Sequence, residues 1–225
     1  MGEYAVGVAT RTRIYRVCKE LFYRKGIKAT SYNDICEAAE VNRGLIPYYF
    51  KSKNNIAIEV LGDFVDSMEA AVNAWWSPDD MVQPERNIMI ELLMFRLLSE
   101  DECACRFYSE IRADGAFHES SLKIQDDVMR TLAKGSGVQV SDAALRTITS
   151  MVEGTETELV QAVYHGYLEE SIEDMVRRDI SCCFFLLGAD AKTVEGWCDH
   201  VFALAEGFTM ECDERFACQV VKRGR

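Results

Sequence analysis

The run Asn42-Arg43-Gly44-Leu45-Ile46-Pro47-Tyr48-Tyr49-Phe50-Lys51-Ser52-Lys53 gathers an amide, a guanidinium, two phenols, a hydroxyl and two ammonium groups in one short stretch. Such groups hydrogen-bond base edges and phosphate oxygens. Asn42 and Arg43 stand at the start of an expected short helix, where bases and phosphates are reached. Gly44 removes a side chain where a backbone must come close, and Leu45 and Tyr48 extend the same exposed side. Taken singly, Tyr48 and Tyr49 could instead cover a small core, and Arg43 could be an ordinary solvated charge.

Other reactive types lie further along. Glu153-x-x-Glu156-x-Glu158 falls within an expected helix over 141–166. Glu156 stands one turn below Val152 and beside Thr155, on the edge of the apolar face, where a carboxylate could select a cationic or amine-bearing ligand. A solvated acidic face is the plainer alternative, and Arg96 and Arg112 keep an anionic ligand open. No G-x-S-x-G, H-E-x-x-H, Walker A, E-x-x-H or paired-carboxylate signature occurs, so nothing points to an enzyme or a cofactor. The nine cysteines include no C-x-x-C, and His118, His165 and His200 are not at ligand spacing from any cysteine pair, which argues against zinc or another metal. Their expected role is that of small buried residues in a reducing compartment. Cys103 and Cys105 could be a redox pair, although a helix points them to different faces.

Charge is unevenly divided. The net charge is −12, yet residues 1–60 hold ten basic and six acidic residues, a head of +4 on a body of −16. Only the head suits a polyanion. With 225 residues and 48% hydrophobic content the chain can hold a small domain attached to a larger one. No run approaches the ~18 apolar residues of a membrane span, and no signal-peptide core opens the chain, so a soluble, cytoplasmic protein is expected.

The elements that must position these groups read as helices throughout, with no turn signal for a hairpin. The first is expected over about Arg11–Lys25, with Thr10 as N-cap and Gly26 as the αL residue beyond it. A second begins at Ser31, where Asp34 completes an approximate capping box, and runs to about Ala39. A third runs from an Asn42 N-cap to near Phe50. Ser52 caps a fourth, over 52–76, whose apolar row is Ile56, Val60, Leu61, Phe64, Val65, Met68, Val72 and Trp75. Ser77-Pro78-Asp79-Asp80 interrupts the pattern, and helices follow at about 84–100, 102–113, 118–134, 141–166, 168–187 and 190–212. Residues 213–225, ending in Lys222-Arg223-Gly224-Arg225, read as a frayed tail.

Two short helices and a tight turn within a three-helix core make a helix-turn-helix unit. The segment Leu21-Phe22, Gly26, Thr30-Ser31-x-x-Asp34-Ile35, Ala38-Ala39-x-Val41-Asn42-Arg43-Gly44-x-x-x-Tyr48-Tyr49-Phe50-x-Ser52-Lys53 resembles the signature of the TetR family of transcriptional regulators. The likeness covers about fifty residues; the rest resembles the family only in being helical and of suitable length. It implies a homodimer on palindromic operator DNA. It also implies Arg43 and Gly44 at base edges, Leu45 against a thymine methyl, and Tyr48, Tyr49, Ser31 and Lys53 on phosphate, with Phe50 in the core. Glu40 departs from the pattern where the turn usually has glycine, so it is either a strained αL residue or the turn is altered. Pro47 lies inside the recognition helix, which it could bend or tighten.

The fold class expected is therefore all-α: a helix-turn-helix domain over 1–53, a connector helix over 52–76, and a helical effector-binding and dimerisation domain over 54–212. In the last helix Val194, Trp197, Val201, Leu204 and Phe208, and in the one before it Leu168, Ile172, Met175, Val176, Ile180, Cys183 and Leu187, recur at seam spacing. These are read as the dimer surface, the alternative being the protomer's own core. An effector site is expected among Trp75, Phe95, Phe107, Tyr108, Met151, Val152, Thr155, Glu156 and Tyr164. The functional expectation is a repressor released or modulated by an unidentified small molecule. A DNA-binding regulator without one, controlled by a protein partner, is the alternative; a helical enzyme is the reading from another class.

Overall fold

The computed structural model describes residues 2–77 and 79–223, and the side chains of 2–5, 115, 116, 118–120, 123 and 124 are outside it. Pro78, Gly224, Arg225 and the His118 side chain therefore lie outside the described residues. No helix among them is long and apolar enough to cross a membrane.

The head is built from α1 (Gly2–Lys25), α2 (Tyr32–Ala39) and α3 (Leu45–Phe50), with the start of α4 (Lys53–Asn73) beneath them. Ile14, Cys18, Phe22, Ile35, Ala39, Ile46 and Phe50 fill its core. Gly26, at φ 83°, ends α1 in the left-handed region that glycine enters without strain. Helix α1 begins earlier than the sequence pattern predicts. Thr10 does not cap it; its hydroxyl donates to Val6 O one turn back, at 2.9 Å, and lies mid-helix. The α2 capping box forms as expected, with Ser31 Oγ accepting from Asp34 N and the Asp34 carboxylate accepting from Ser31 N. Ser52 caps α4 through Asn55 N.

The body holds α5 (Gln83–Glu100), α6 (Glu102–Arg112), α7 (Gly115–Gly135), α8 (Asp142–Tyr164), α9 (Ile172–Leu187) and α10 (Ala191–Leu204). Helix α5 is its axis, touching α4 and each of the other five body helices. Ile88, Leu92, Leu93, Phe95, Leu97 and Leu98, spread round its circumference, are buried, as a helix packed on every side requires. Asp101 ends α5 and caps α6 in one residue, accepting from Ala104 N at 2.9 Å.

Two expectations fail at the C-terminal end. Helix α10 stops at Leu204, because Gly207 (φ 75°) turns the chain, and residues 208–222 are not frayed. They form an antiparallel hairpin, β1 (Phe208–Cys212) and β2 (Cys218–Lys222), packed on α5 and α4. Its five-residue loop lacks the Asn-Gly or Asp-Gly signature and is closed instead by the Asp213 carboxylate, which accepts from Arg215 N and Ala217 N. The second failure concerns the dimer seam. Met175, Val176, Ile180, Val194 and Val201 are buried within the protomer, so those stripes serve its own core. Phe208 is on β1, not on α10, packed against Trp75 and Trp76. Trp197, Leu204 and Ile172 remain half-buried.

Candidate nucleic-acid interface

Glu40 takes the left-handed conformation (φ 50°, ψ 51°) that the turn needs, its N–H shared between Cys36 O and Glu37 O. The turn is thus the unaltered one, entered by a residue that pays for its Cβ with about 1 kcal/mol. Pro47 neither bends nor breaks α3. It is the third helical residue, inside the first turn, where a backbone N–H has no intrahelical partner to lose. Asn42 is not the N-cap; Gly44 holds that position, and Asn42 O accepts from Leu45 N in the turn before it.

This geometry turns one face outward. Asn42, Arg43 and Gly44 are exposed, and a Cβ on Gly44 would meet nothing within 4 Å, so no contact inside the chain requires glycine there. Tyr48 is 77% exposed, edge-on to Tyr49 at 4.9 Å. Tyr49 is half-buried, its hydroxyl 3.5 Å from where a Cβ on Gly7 of α1 would stand. Arg43 lies over the Tyr32 ring at 5.4 Å. Leu45 is half-buried against the head's core, and Phe50 is buried as expected. Ser31 is exposed, but its hydroxyl is engaged with Asp34. Lys25 and Ser31 together hold the Asp34 carboxyl far below the usual carboxylate range.

Lys53 is placed differently from the expectation. Its ammonium donates to Ile27 O and Thr30 O, both at 2.6 Å, while its N–H donates to Tyr32 Oη. With two of three N–H groups on backbone carbonyls, Lys53 pins the α1–α2 turn to the start of α4 and does not reach outward for phosphate.

The head is tied to the body chiefly through α6. Arg106 donates to Tyr23 O and Arg24 O at the C-terminus of α1, 2.8 Å each, where a cation also meets the helix dipole. The Glu110 carboxylate accepts from Lys28 N, and Asp114 from Asn54 Nδ2. A recess of about 110 Å³ lies at this junction, lined by residues that include Ile27, Lys53, Ile58, Ile111 and Phe117.

The opposite side of α6 faces a buried charge cluster. Arg112 pairs with Glu153 and with Glu156 of α8, 3.2 Å each. Tyr108 Oη donates to Glu156 at 3.1 Å, and Ser121 Oγ donates to Glu153 at 2.8 Å. Burial and the Glu156 charge hold the Tyr108 phenol firmly protonated. Glu153 Oε2 and Arg112 Nε have no partner among the described residues. Glu91 of α5 and Asp179 of α9 meet carboxyl to carboxyl nearby, and burial raises both, Asp179 to about 6.

Only part of the expected effector set gathers there. Tyr108, Val152 and Glu156 are on the inner faces of α6 and α8, whereas Met151 is 52% exposed and Thr155 is turned back onto Met151 O. Trp75 is spent on the hairpin, donating to Val220 O at 2.8 Å. Phe107 packs between Phe22 and Phe216, Phe95 is sealed in α5, and Tyr164 meets His165 edge-on at the end of α8. Glu91, Asp179 and Ser121 went unread. The signal for Asp179 was present, since it interrupts the apolar row Met175, Val176, Ile180, Cys183 at a core position.

The comparisons with known proteins follow this division. The family model of the bacterial regulatory proteins of the tetR family matches residues 14–60. The HTH-type transcriptional regulator QacR of Staphylococcus aureus is 37% identical over 51 residues, 23% of this chain and 27% of that protein. The HTH-type transcriptional repressor KstR2 of Mycolicibacterium smegmatis is 36% identical over 56 residues, 25% of this chain and 27% of that protein. The match therefore spans about a quarter of each relative, and it is the head. Over the whole fold, RolR crystallised with the ligand resorcinol superposes with a TM-score of 0.64 at 18% identity, covering 87% of this chain and 95% of that one.

Proposed function

We propose that the chain, whose head matches the family model of the bacterial regulatory proteins of the tetR family over residues 14–60, is a TetR-type repressor that binds palindromic operator DNA as a homodimer and is released by a small-molecule effector. The observation that carries this reading is the outward face of α3, where Arg43, Gly44 and Tyr48 stand exposed on a head of net positive charge above an acidic body. Base recognition falls to Arg43, with the bare backbone at Gly44 admitting close approach and Asn42 beside it. Tyr48, Tyr49 and the exposed start of α2 at Ser31 face the phosphates.

Dimerisation is assigned to the outward faces of α9 and α10. Phe185 is 78% exposed, a large apolar side chain that the protomer does not use, and Gly196 leaves open space for a close helix approach. Trp197 and Leu204 flank them. Two helices from each protomer would make a four-helix, two-fold interface.

The effector's seat is assigned to the cluster around Tyr108, Arg112, Glu153 and Glu156. It is buried, polar and incompletely paired, and its carboxylates outnumber its one arginine, which favours a ligand carrying a cationic or amine group. Helix α6 supplies the link. One side holds Tyr108 and Arg112, the other holds Arg106 and Glu110 against the head. A ligand that draws α6 or α8 toward itself would tilt the head and change the spacing of the two recognition helices; a preference of ~1–3 kcal/mol for one state is sufficient.

The test is a titration of the dimer onto a palindromic duplex from upstream of its own gene at several salt concentrations. Affinity should fall steeply and linearly on a log–log scale, and Arg43→Ala should relax sequence choice. Absence of any salt-dependent binding to that duplex would remove the proposal.

A further inference from the structure

The hairpin that closes the chain is a strut between body and head. Its strands lie on α4 and α5, and its tip reaches α1: Arg24 pairs with Glu214, Arg215 pairs with Glu20, and the Phe216 ring is buried among Tyr23, Phe64 and Phe107. At the base of that tip, Cys212 and Cys218 are direct cross-strand partners.

Their position in the ladder is the important part. Asp213 N donates to Ala217 O on one side and Arg223 N donates to Gly207 O at the far end, so the hydrogen-bonded pairs include 213 with 217 and 207 with 223. By alternation, Cys212 and Cys218 form a non-hydrogen-bonded pair. An independent contact agrees: Cys218 N turns away from β1 and donates to Ser67 Oγ of α4 at 2.7 Å. At such a pair the Cα atoms are about 4.5 Å apart and the side chains share a face, within the ~4.4–6.8 Å that a disulfide spans. The backbone register therefore suits such a bond, which forms once Cys212 Sγ leaves Asp101 and Cys218 Sγ leaves Phe216 O.

We propose that Cys212 and Cys218 are a modification site, converted by a hydroperoxide to a cross-strand disulfide that locks the hairpin tip onto α1. Cys212 Sγ donates to Asp101 Oδ2 at 3.6 Å, and that carboxylate keeps the proton on sulfur until the attack takes place. The sulfur attacks the O–O bond, giving a sulfenic acid and the reduced alcohol or water. The Cys218 thiol then attacks the sulfenic sulfur, the S–S bond forms, and a water leaves. Two thiols are oxidised by two electrons and one hydroperoxide is reduced. Burial pushes the Cys218 thiol up to about 12 and Cys212 higher still. The thiolate fraction at neutral pH is then small, and the site answers sustained oxidant rather than a brief pulse.

The experiment uses the full chain with Cys182, the exposed thiol, replaced by Ser to prevent links between molecules. After hydrogen peroxide treatment, peptide mapping should give one intramolecular disulfide joining the peptides of 212 and 218, reversed by dithiothreitol. Hydrogen exchange of loop 213–217 should slow by about tenfold or more, the change expected when opening of a local unit is suppressed. Either C212S or C218S should abolish both effects, while C36S should leave them intact. A disulfide from Cys212 to Cys103, which also lies near Tyr23, or unlinked, overoxidised Cys212 and Cys218, would overturn the assignment. An unchanged exchange rate in the linked protein would show that the tip is not locked.

Discussion

Arg112 and Glu153 meet 3.2 Å apart in the body's interior, with 5% and 2% of their side chains exposed. Breaking such a pair strands a charge in a medium that cannot solvate it, at a cost of about 3–5 kcal/mol. Arg112→Met should therefore lower the unfolding free energy by about that amount, read from urea titration at constant m-value. Arg112→Met combined with Glu153→Leu should recover part of the loss. A single substitution costing under about 1 kcal/mol would mean that the pair is solvated and not the sealed contact described.

The Glu91–Asp179 carboxyl pair fixes a pH dependence. Burial raises both groups in the folded state, with Asp179 adding to Glu91 and Glu156 adding to both; Arg112 is the cation facing Glu156, and Cys183 is the neutral neighbour. The folded chain then binds more protons than the unfolded chain between the ordinary carboxylate range and about 6 for Asp179. Stability is highest at the acid end of that window and falls as pH rises through it. Urea midpoints should drop as pH rises from the ordinary carboxylate range through about 6, and Glu91→Gln should flatten the slope. An opposite slope, rising with pH in the wild type and unaffected by Glu91→Gln, would refute the raised carboxyls.

The head was legible because its signals are local. A capping box at Ser31–Asp34, a glycine after α1 and an apolar stripe each act within a few residues, so sequence spacing nearly is structure there. The body was legible as helices but not as surfaces. The stripe of Met175, Val176 and Ile180 obeys the same periodicity whether it meets a second protomer or α5, and only tertiary packing decides between them. The hairpin was hidden for a related reason. Leu204 and Phe208 keep helical spacing across Gly207, and the loop is held by the Asp213 side chain and by the burial of Phe216, neither of which leaves a dipeptide signature. Lys53 fits the motif in type and position, yet its ammonium turns inward because two unpaired carbonyls of the preceding turn lie within reach.

That inward turn separates two roles for Lys53. As a clamp, it should matter for the head's stability more than for its phosphate count. Lys53→Met keeps the stem and removes the donor, leaving Ile27 O and Thr30 O unpaired, at about 1–3 kcal/mol. Thermal unfolding should show the loss, while the salt dependence of DNA binding by the folded protein stays the same. A slope reduced by about one with unchanged stability would instead mark a phosphate ligand.

Glu40 gives the cleanest backbone test. Its left-handed conformation (φ 50°, ψ 51°) crowds the Cβ against the adjoining backbone, and its N–H bonds to Cys36 O and Glu37 O hold it there. Glycine removes that crowding, and although it also gives the unfolded chain more freedom, the balance should favour the fold by about 0.5–1 kcal/mol. The gain is a property of the missing Cβ, not of the missing charge. Glu40→Ala, which discharges the side chain but keeps the Cβ, should therefore give no comparable gain in thermal midpoint. Equal stabilisation by Ala and Gly would assign the effect to the charge and leave the turn's strain without a measurable cost.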